Sequence, residues 1–206
     1  MAGLHQELGL VKLLQALLWA LNFEVSQQAA IALGKIGTNS AATALCELLK
    51  TTTVPVFFKI DAVRALGRIE TQVSLEYLQN LLGYNFLVKV NDWAQIVNEI
   101  IIALGKLEKP ELKPQATNIL IEFIASGNPN LENICVKKSL ALTLGYLGNI
   151  HALEYLIQLL EDGDNSVILH SVAAMKKLDS KKAYQKLVSF FFWKIFVGRK
   201  NSETFP

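Results

Sequence analysis

The sequence predicts an all-α fold: antiparallel helix pairs stacked into a right-handed α-solenoid. Three observations predict it. Alanine and leucine dominate a chain that is 51% hydrophobic and holds only 5 prolines, with little strand-like alternation. A short pattern recurs along the chain, as Ala32-Leu33-Gly34, Ala65-Leu66-Gly67, Ala103-Leu104-Gly105, Thr143-Leu144-Gly145 and Ala174-Met175-Lys176. A second apolar pattern follows each copy at constant spacing, at Leu45, Leu78, Ala116, Leu156 and Leu187, then at Leu49, Leu82, Leu120, Leu160 and Phe191. Constant spacing within pairs and variable spacing between them means a rigid helix–turn–helix unit with insertions in the connections.

The chain reads as one array over 1–206. A leading half unit spans about 4–21, units follow at about 22–49, 55–82, 93–124, 133–160 and 165–192, and a tail covers 197–206. The half unit looks like a second helix without its first, with Leu10, Leu14 and Leu18 at core spacing, while Leu4, Leu8, Leu17 and Trp19 leave its flank apolar. Solenoid ends need polar caps to stay soluble, so this flank predicts self-association or a docked partner. In each first helix, the columns through Val25, Phe58, Ile96, Val136 and Val167, through Leu33 and its equivalents, and through Ile36, Ile69, Leu107, Leu147 and Leu178 fall on one stripe. Gly34, Gly67, Gly105 and Gly145 each cost about 1 kcal/mol relative to Ala inside a helix, which predicts helix crossings too close for a Cβ. Gly37 and Gly148 are expected to end first helices with positive φ; Glu70, Glu108 and Asp179 stand there in other units and predict another geometry. Asn39 or Ser40 is expected to cap the second helix of unit one.

The connections differ. Residues 50–58 are broken by threonines and Pro55, 83–93 carry Tyr84, Phe86, Leu87 and Trp93, and 125–133 form a polar turn. Near the end, alignment places Phe190 and Phe191 where Leu81 and Leu82 fall, as core; Phe192, Trp193 and Phe196 are left as cap or contact surface.

Several functions are disfavoured. Net charge is +2 with no basic run, against nucleic-acid binding. Charged residues make up 18%, against about 25% in a typical soluble domain, as in a protein with a face covered in a complex. Cys46 and Cys135 have no framework spacing and read as reduced thiols, pointing to the cytoplasm. No uncharged apolar run is long enough to insert in a membrane. His5, His151 and His170 stand in no metal-binding motif, and no catalytic site, cofactor or metal is predicted. One constellation stands out: SLEYLQNLL at 74–82 and ALEYLIQLL at 152–160. With leucines in the core, Glu76, Tyr77, Asn80, Glu154, Tyr155 and Gln158 are expected to face outward on the second helices, as a groove for a helix or peptide on the concave side. Trp19, Tyr84, Phe86, Trp193 and Phe196 are further candidate contacts at the ends and in the long connection.

The AxxALGxIG pattern with its leucine-rich second helix resembles the HEAT-like repeats of the phycobilisome-lyase type, over about residues 10–192. The basic residue that this family often carries at the entry of the first helix is matched by Lys59 and Lys137, with Ser26, Val97 and Ile168 at that place elsewhere. The leading reading is a non-catalytic protein-binding scaffold. The resemblance implies an alternative: a bilin lyase, or a subunit of one, holding phycocyanobilin or a related open-chain tetrapyrrole, with a second HEAT-like subunit or a phycobiliprotein as partner. Arg64, Arg68 and Tyr77 are the residues of unit two that would contribute.

Overall fold

The structure, a computed structural model, describes residues 2–51, 53–83, 90–178 and 181–202, with side chains over 7–51, 53–83, 93–178 and 181–192. It is helical throughout these residues: α1 (Ala2–Leu17), α2 (Phe23–Ile36), α3 (Asn39–Lys50), α4 (Val56–Ile69), α5 (Gln72–Gly83), α6 (Val90–Gly105), α7 (Lys113–Ala125), α8 (Ile134–Leu147), α9 (Leu153–Gln158), α10 (Asn165–Lys177) and α11 (Lys181–Ser202). Short 3₁₀ turns precede α7, α8 and α9 and follow α9. Helices α2, α4, α6, α8 and α10 pack side by side as one row, and the alternate helices form a second row behind it. This is an all-α solenoid.

Local chemistry sets the helix starts. Asn22, Asn133 and Asp164 each accept two backbone N–H bonds in the first turn of α2, α8 and α10. Thr38, and not Asn39 or Ser40, caps α3 by accepting from Ala41 N; Asn39 is already helical. Gly37 and Gly148 end α2 and α8 at φ 71 and 70, as expected. Glu70 departs from expectation: it takes the same left-handed conformation, at φ 49 and ψ 51, in place of a different geometry.

The core lies between the two rows and is filled by leucines such as Leu33, Leu45, Leu66, Leu78 and Leu156. The recurring glycines are explained by the row of first helices. A Cβ on Gly34 would stand 2.9 Å from Ala65 O, on Gly67 2.8 Å from Ala103 Cβ, on Gly105 2.9 Å from Thr143 Oγ1, and on Gly145 2.7 Å from Ala174 Cα. Gly34, Gly67 and Gly105 therefore each receive the residue two before the next unit's glycine, and Gly145 receives Ala174, two before Lys176. The first-helix row is drawn to backbone contact, while leucine-bearing second helices touch one another much less. Such an array bends toward its tight row, so the inner side belongs to the first helices, the reverse of the sequence-based expectation.

Some core assignments fail at the flanks. Val25 is exposed because no first helix lies in front of α2. In α1, Leu10 is exposed and Val11 takes its place in the core beside Leu18. Phe191 is 41% exposed and only Phe190 packs partly on the core, because α11 closes the described array without a further second helix against it.

Candidate functional site

The first-helix row carries a polar ladder on its outward face. Gln27 on α2 donates to Asp61 on α4 at 2.7 Å, and Arg64 on α4 reaches Asp61 at 3.2 Å. Across to α6, Arg64 makes a two-pronged contact with Glu99, at 2.9 and 3.1 Å. Asp61 and Arg64 lie one turn apart on α4, so one guanidinium serves its own helix and the next. The Glu99 hydrogen bond, more than any other cause, holds the Arg64 guanidinium above its ordinary pKa.

Beside this ladder, toward the helix C-termini, a cleft of about 790 Å³ opens between α4, α6 and the turn before α7. Gly67 and Ala103 lie in its wall because their close crossing leaves no side chain to fill it. Glu70 closes one side: its left-handed backbone turns the carboxylate onto the backbone N–H groups of Glu108 and Lys109, at 2.8 and 3.0 Å, while Lys109 Nζ donates to Glu70 O at 2.7 Å. With Glu70 and Glu99 committed, Arg68 and Lys106 line the cleft without any hydrogen bond or ion pair among the described residues. A second cleft of about 470 Å³ follows between α6 and α8, lined by Ile102, Leu142 and Tyr146, and shares Lys106 with the first. Both cations follow a repeat glycine directly, a column that reads Lys35, Arg68, Lys106, Tyr146 and Lys177. Lys177 Nζ sits 3.3 Å from the Tyr146 ring centroid.

The residues singled out from sequence behave differently. Tyr77 and Tyr155 do not face outward; both are half-buried against the core. Tyr77 Oη lies 3.1 Å from Thr43 Oγ1, tying α5 to α3. Burial, with Asp162 and Glu132 adding to it, pushes the Tyr155 phenol pKa up. Glu76, Asn80, Glu154 and Gln158 are exposed, but α7 lies between α5 and α9, so the two sets do not meet in one groove. Of the cleft residues named for unit two, Arg64 and Arg68 line the large cleft and Tyr77 does not. Tyr84 and Phe86 lie outside the described residues, as do the side chains of Trp193 and Phe196. Trp19 is 50% exposed, and Leu8, Leu10, Leu13, Leu21 and Phe23 are also exposed on α1, its exit and the start of α2, with Phe23 edge-on to Phe57 at 4.7 Å. Among the described residues no three His, Cys, Asp or Glu side chains gather as a metal site, and none of the helices is long and apolar enough to cross a membrane.

Residues 27–51 and 58–84, which span α2 to α5, match the PBS lyase HEAT-like repeat family. These two stretches, α2–α3 and α4–α5, are where the match lies. No curated protein sequence matches it. Among solved structures, the complex of CpcE and CpcF of phycocyanin lyase from Nostoc sp. PCC7120 superposes on 86% of this chain and 68% of that one, with a TM-score of 0.58 at 21% identity. An engineered protein aligns over 87% of this chain and 84% of its own, with a TM-score of 0.48 at 18% identity. The first likeness is one of fold, over most of the chain. The sequence reading passed over Asp61, Glu70, Glu99, Lys106 and Lys109. Of these only Lys106 had a signal of its own, the basic column after the repeat glycines.

Proposed function

We propose that this HEAT-like repeat protein is a non-catalytic scaffold that pairs with a second protein, a HEAT-like subunit in first place, through its apolar α1–α2 flank. The observation that carries the reading is the exposed set Leu8, Leu10, Leu13, Trp19, Leu21 and Phe23 on adjoining elements. Several large apolar side chains exposed within one short stretch of chain mark an interaction surface more than a single one does. The solved neighbour, a complex of two proteins, supports it. A cytoplasmic setting goes with this reading, since Cys46 and Cys135 are free thiols. Sedimentation of the chain alone, and mixed with a second HEAT-like protein, tests the pairing. The expected result is a complex that Leu13→Glu/Leu21→Glu abolishes; monomers in both samples at high concentration contradict it.

A second reading has its own observation. The larger cleft falls within the roughly 300–1,000 Å³ of small-molecule sites, and its two unpaired cations, Arg68 and Lys106, suit the two propionates of a bilin. On this reading the chain is a bilin lyase or a lyase subunit. Phycocyanobilin added to the pure protein, with and without the partner, would show an altered visible spectrum that Arg68→Gln/Lys106→Gln removes. An unchanged spectrum in both samples contradicts it.

A further inference from the structure

The first-helix row repeats one crossing, and its two edges differ. Ala65 seats on Gly34, Ala103 on Gly67, Thr143 on Gly105 and Ala174 on Gly145, so each of the four glycines is filled. On α10 the repeat position holds Lys176 instead, and α10 is packed on α11. At the opposite edge, the residue two before Gly34 is Ala32. It is only half-buried, whereas Ala65, Ala103, Thr143 and Ala174, which hold the same place in later units, are buried. Val25 is 38% exposed, and its equivalents Phe58, Ile96, Val136 and Val167 are buried. Helix α2 thus presents the side of the crossing that enters a glycine, and among the described residues no glycine meets it.

Helix α1 holds the place of a second helix. Aligned through Leu18 with Leu49, it sets Leu10 and Leu13 where α3 has Ala41 and Ala44. The alanines are buried and the leucines exposed. On α5 the Leu13 place is taken by Tyr77, whose Oη stands 3.1 Å from Thr43 on the preceding second helix, so this column faces the unit in front. The open place is therefore that of a first helix, in front of α2 and beside α1. A complete helix pair does not fit it, because its second helix would fall where α1 packs on α2 and α3. We infer that this place receives a single α-helix of a partner protein, apolar on one face and carrying a glycine that takes Ala32. The fitting partner is a HEAT-like array that ends on an unpaired first helix, the complement of α1, which has no first helix of its own among the described residues. A second copy of this chain does not qualify. Its four glycines are filled, its fifth repeat position is Lys176, and its α10 brings α11 with it. The inference rests on the scaffold reading and specifies how the flank is covered.

The test uses the full chain and a labelled peptide of its own residues 56–69, which carry Gly67 in first-helix register. A lone helix of this length is marginal in water, so a lactam bridge between positions 57 and 61 holds it helical. Fluorescence anisotropy should show binding that falls about tenfold or more for the Gly67→Ala peptide and is lost for the Gly67→Lys peptide. Ala32→Leu in the chain, at a half-buried edge position, should fold normally and weaken binding to the same degree. Ala32→Gly should restore binding of the Gly67→Ala peptide. No binding of the parent peptide, equal binding of the Gly67→Lys peptide, or self-association of the wild-type chain that Ala32→Leu abolishes would overturn the inference. The flank is read separately. A complex with a second HEAT-like protein that Leu13→Glu/Leu21→Glu abolishes and Ala32→Leu leaves intact keeps the flank and overturns the glycine crossing. Glycine-dependent peptide binding without any such complex supports the helix place and contradicts the flank pairing.

Discussion

Glu70 is a residue held at positive φ for what its side chain does. A left-handed conformation costs a non-glycine residue about 1–2 kcal/mol, and two sister positions use glycine. Glu70 recovers this through two charge-assisted bonds to the next unit's turn. Glu70→Ala keeps the strain and loses both bonds, so urea denaturation should show a loss of about 1–3 kcal/mol; Glu70→Gly removes the strain as well and should lose about 1 kcal/mol less. Acid should also loosen the link between α8 and α10. The Asp162 carboxyl lies below its ordinary value of 3.8, first through the Asp164 backbone N–H and then through Lys137. A folded-state value below the unfolded one adds stability that is present above the ordinary carboxylate range and is lost as pH falls through it. Asp162→Asn should therefore flatten the acid limb of stability between about pH 5 and pH 3, as followed by thermal unfolding. None of this was legible in sequence, because Glu70 reads only as a missing glycine. Its partners, Glu108 and Lys109, are 38 and 39 residues away.

At the scale of the element, the repeat was legible because its determinants are local and periodic. A glycine at a fixed offset and leucines on one stripe suffice to place a helix pair. The crossing logic predicts the cost of disturbing it. Gly145→Ala drives a Cβ to 2.7 Å from the Ala174 backbone, which cannot rotate away; overpacking of this kind costs about 1–3 kcal/mol. Gly105→Ala meets the Thr143 side chain, which donates to Ile101 O at 3.2 Å. The double variant Gly105→Ala/Thr143→Ala should be less destabilised than the sum of its singles, a coupling that denaturant midpoints would resolve. Tyr77 and Tyr155 show why the facing of a side chain was harder to read. Helical periodicity sets the angle of a residue about its own helix, and the neighbouring second helix decides whether that angle is open. Thr43 on α3 covers Tyr77, and no pattern within α5 announces it.

The whole molecule has two unlike rows of helices and an apolar flank at α1–α2. Glycine crossings draw the first helices into a tight inner row carrying the Arg64–Glu99 ladder and the two clefts, with Arg68 and Lys106 in their lining. The α1–α2 flank is apolar, because α1 packs on α2 and α3 through Val11 and Leu14 and leaves Leu10 and Leu13 exposed on one side of that stripe and Leu8 on the other. Sequence reading found this flank through its leucines and Trp19. It looked for the groove on the second helices because tightness between rows depends on contacts that sequence spacing alone does not rank. The central claim is that the flank binds a second protein. Hydrogen exchange of the chain, free and mixed with a second HEAT-like protein, tests this most directly. The account predicts new protection over α1 and residues 19–25, with α5 and α9 unchanged. Protection confined to α5 and α9, or none on mixing, would contradict it.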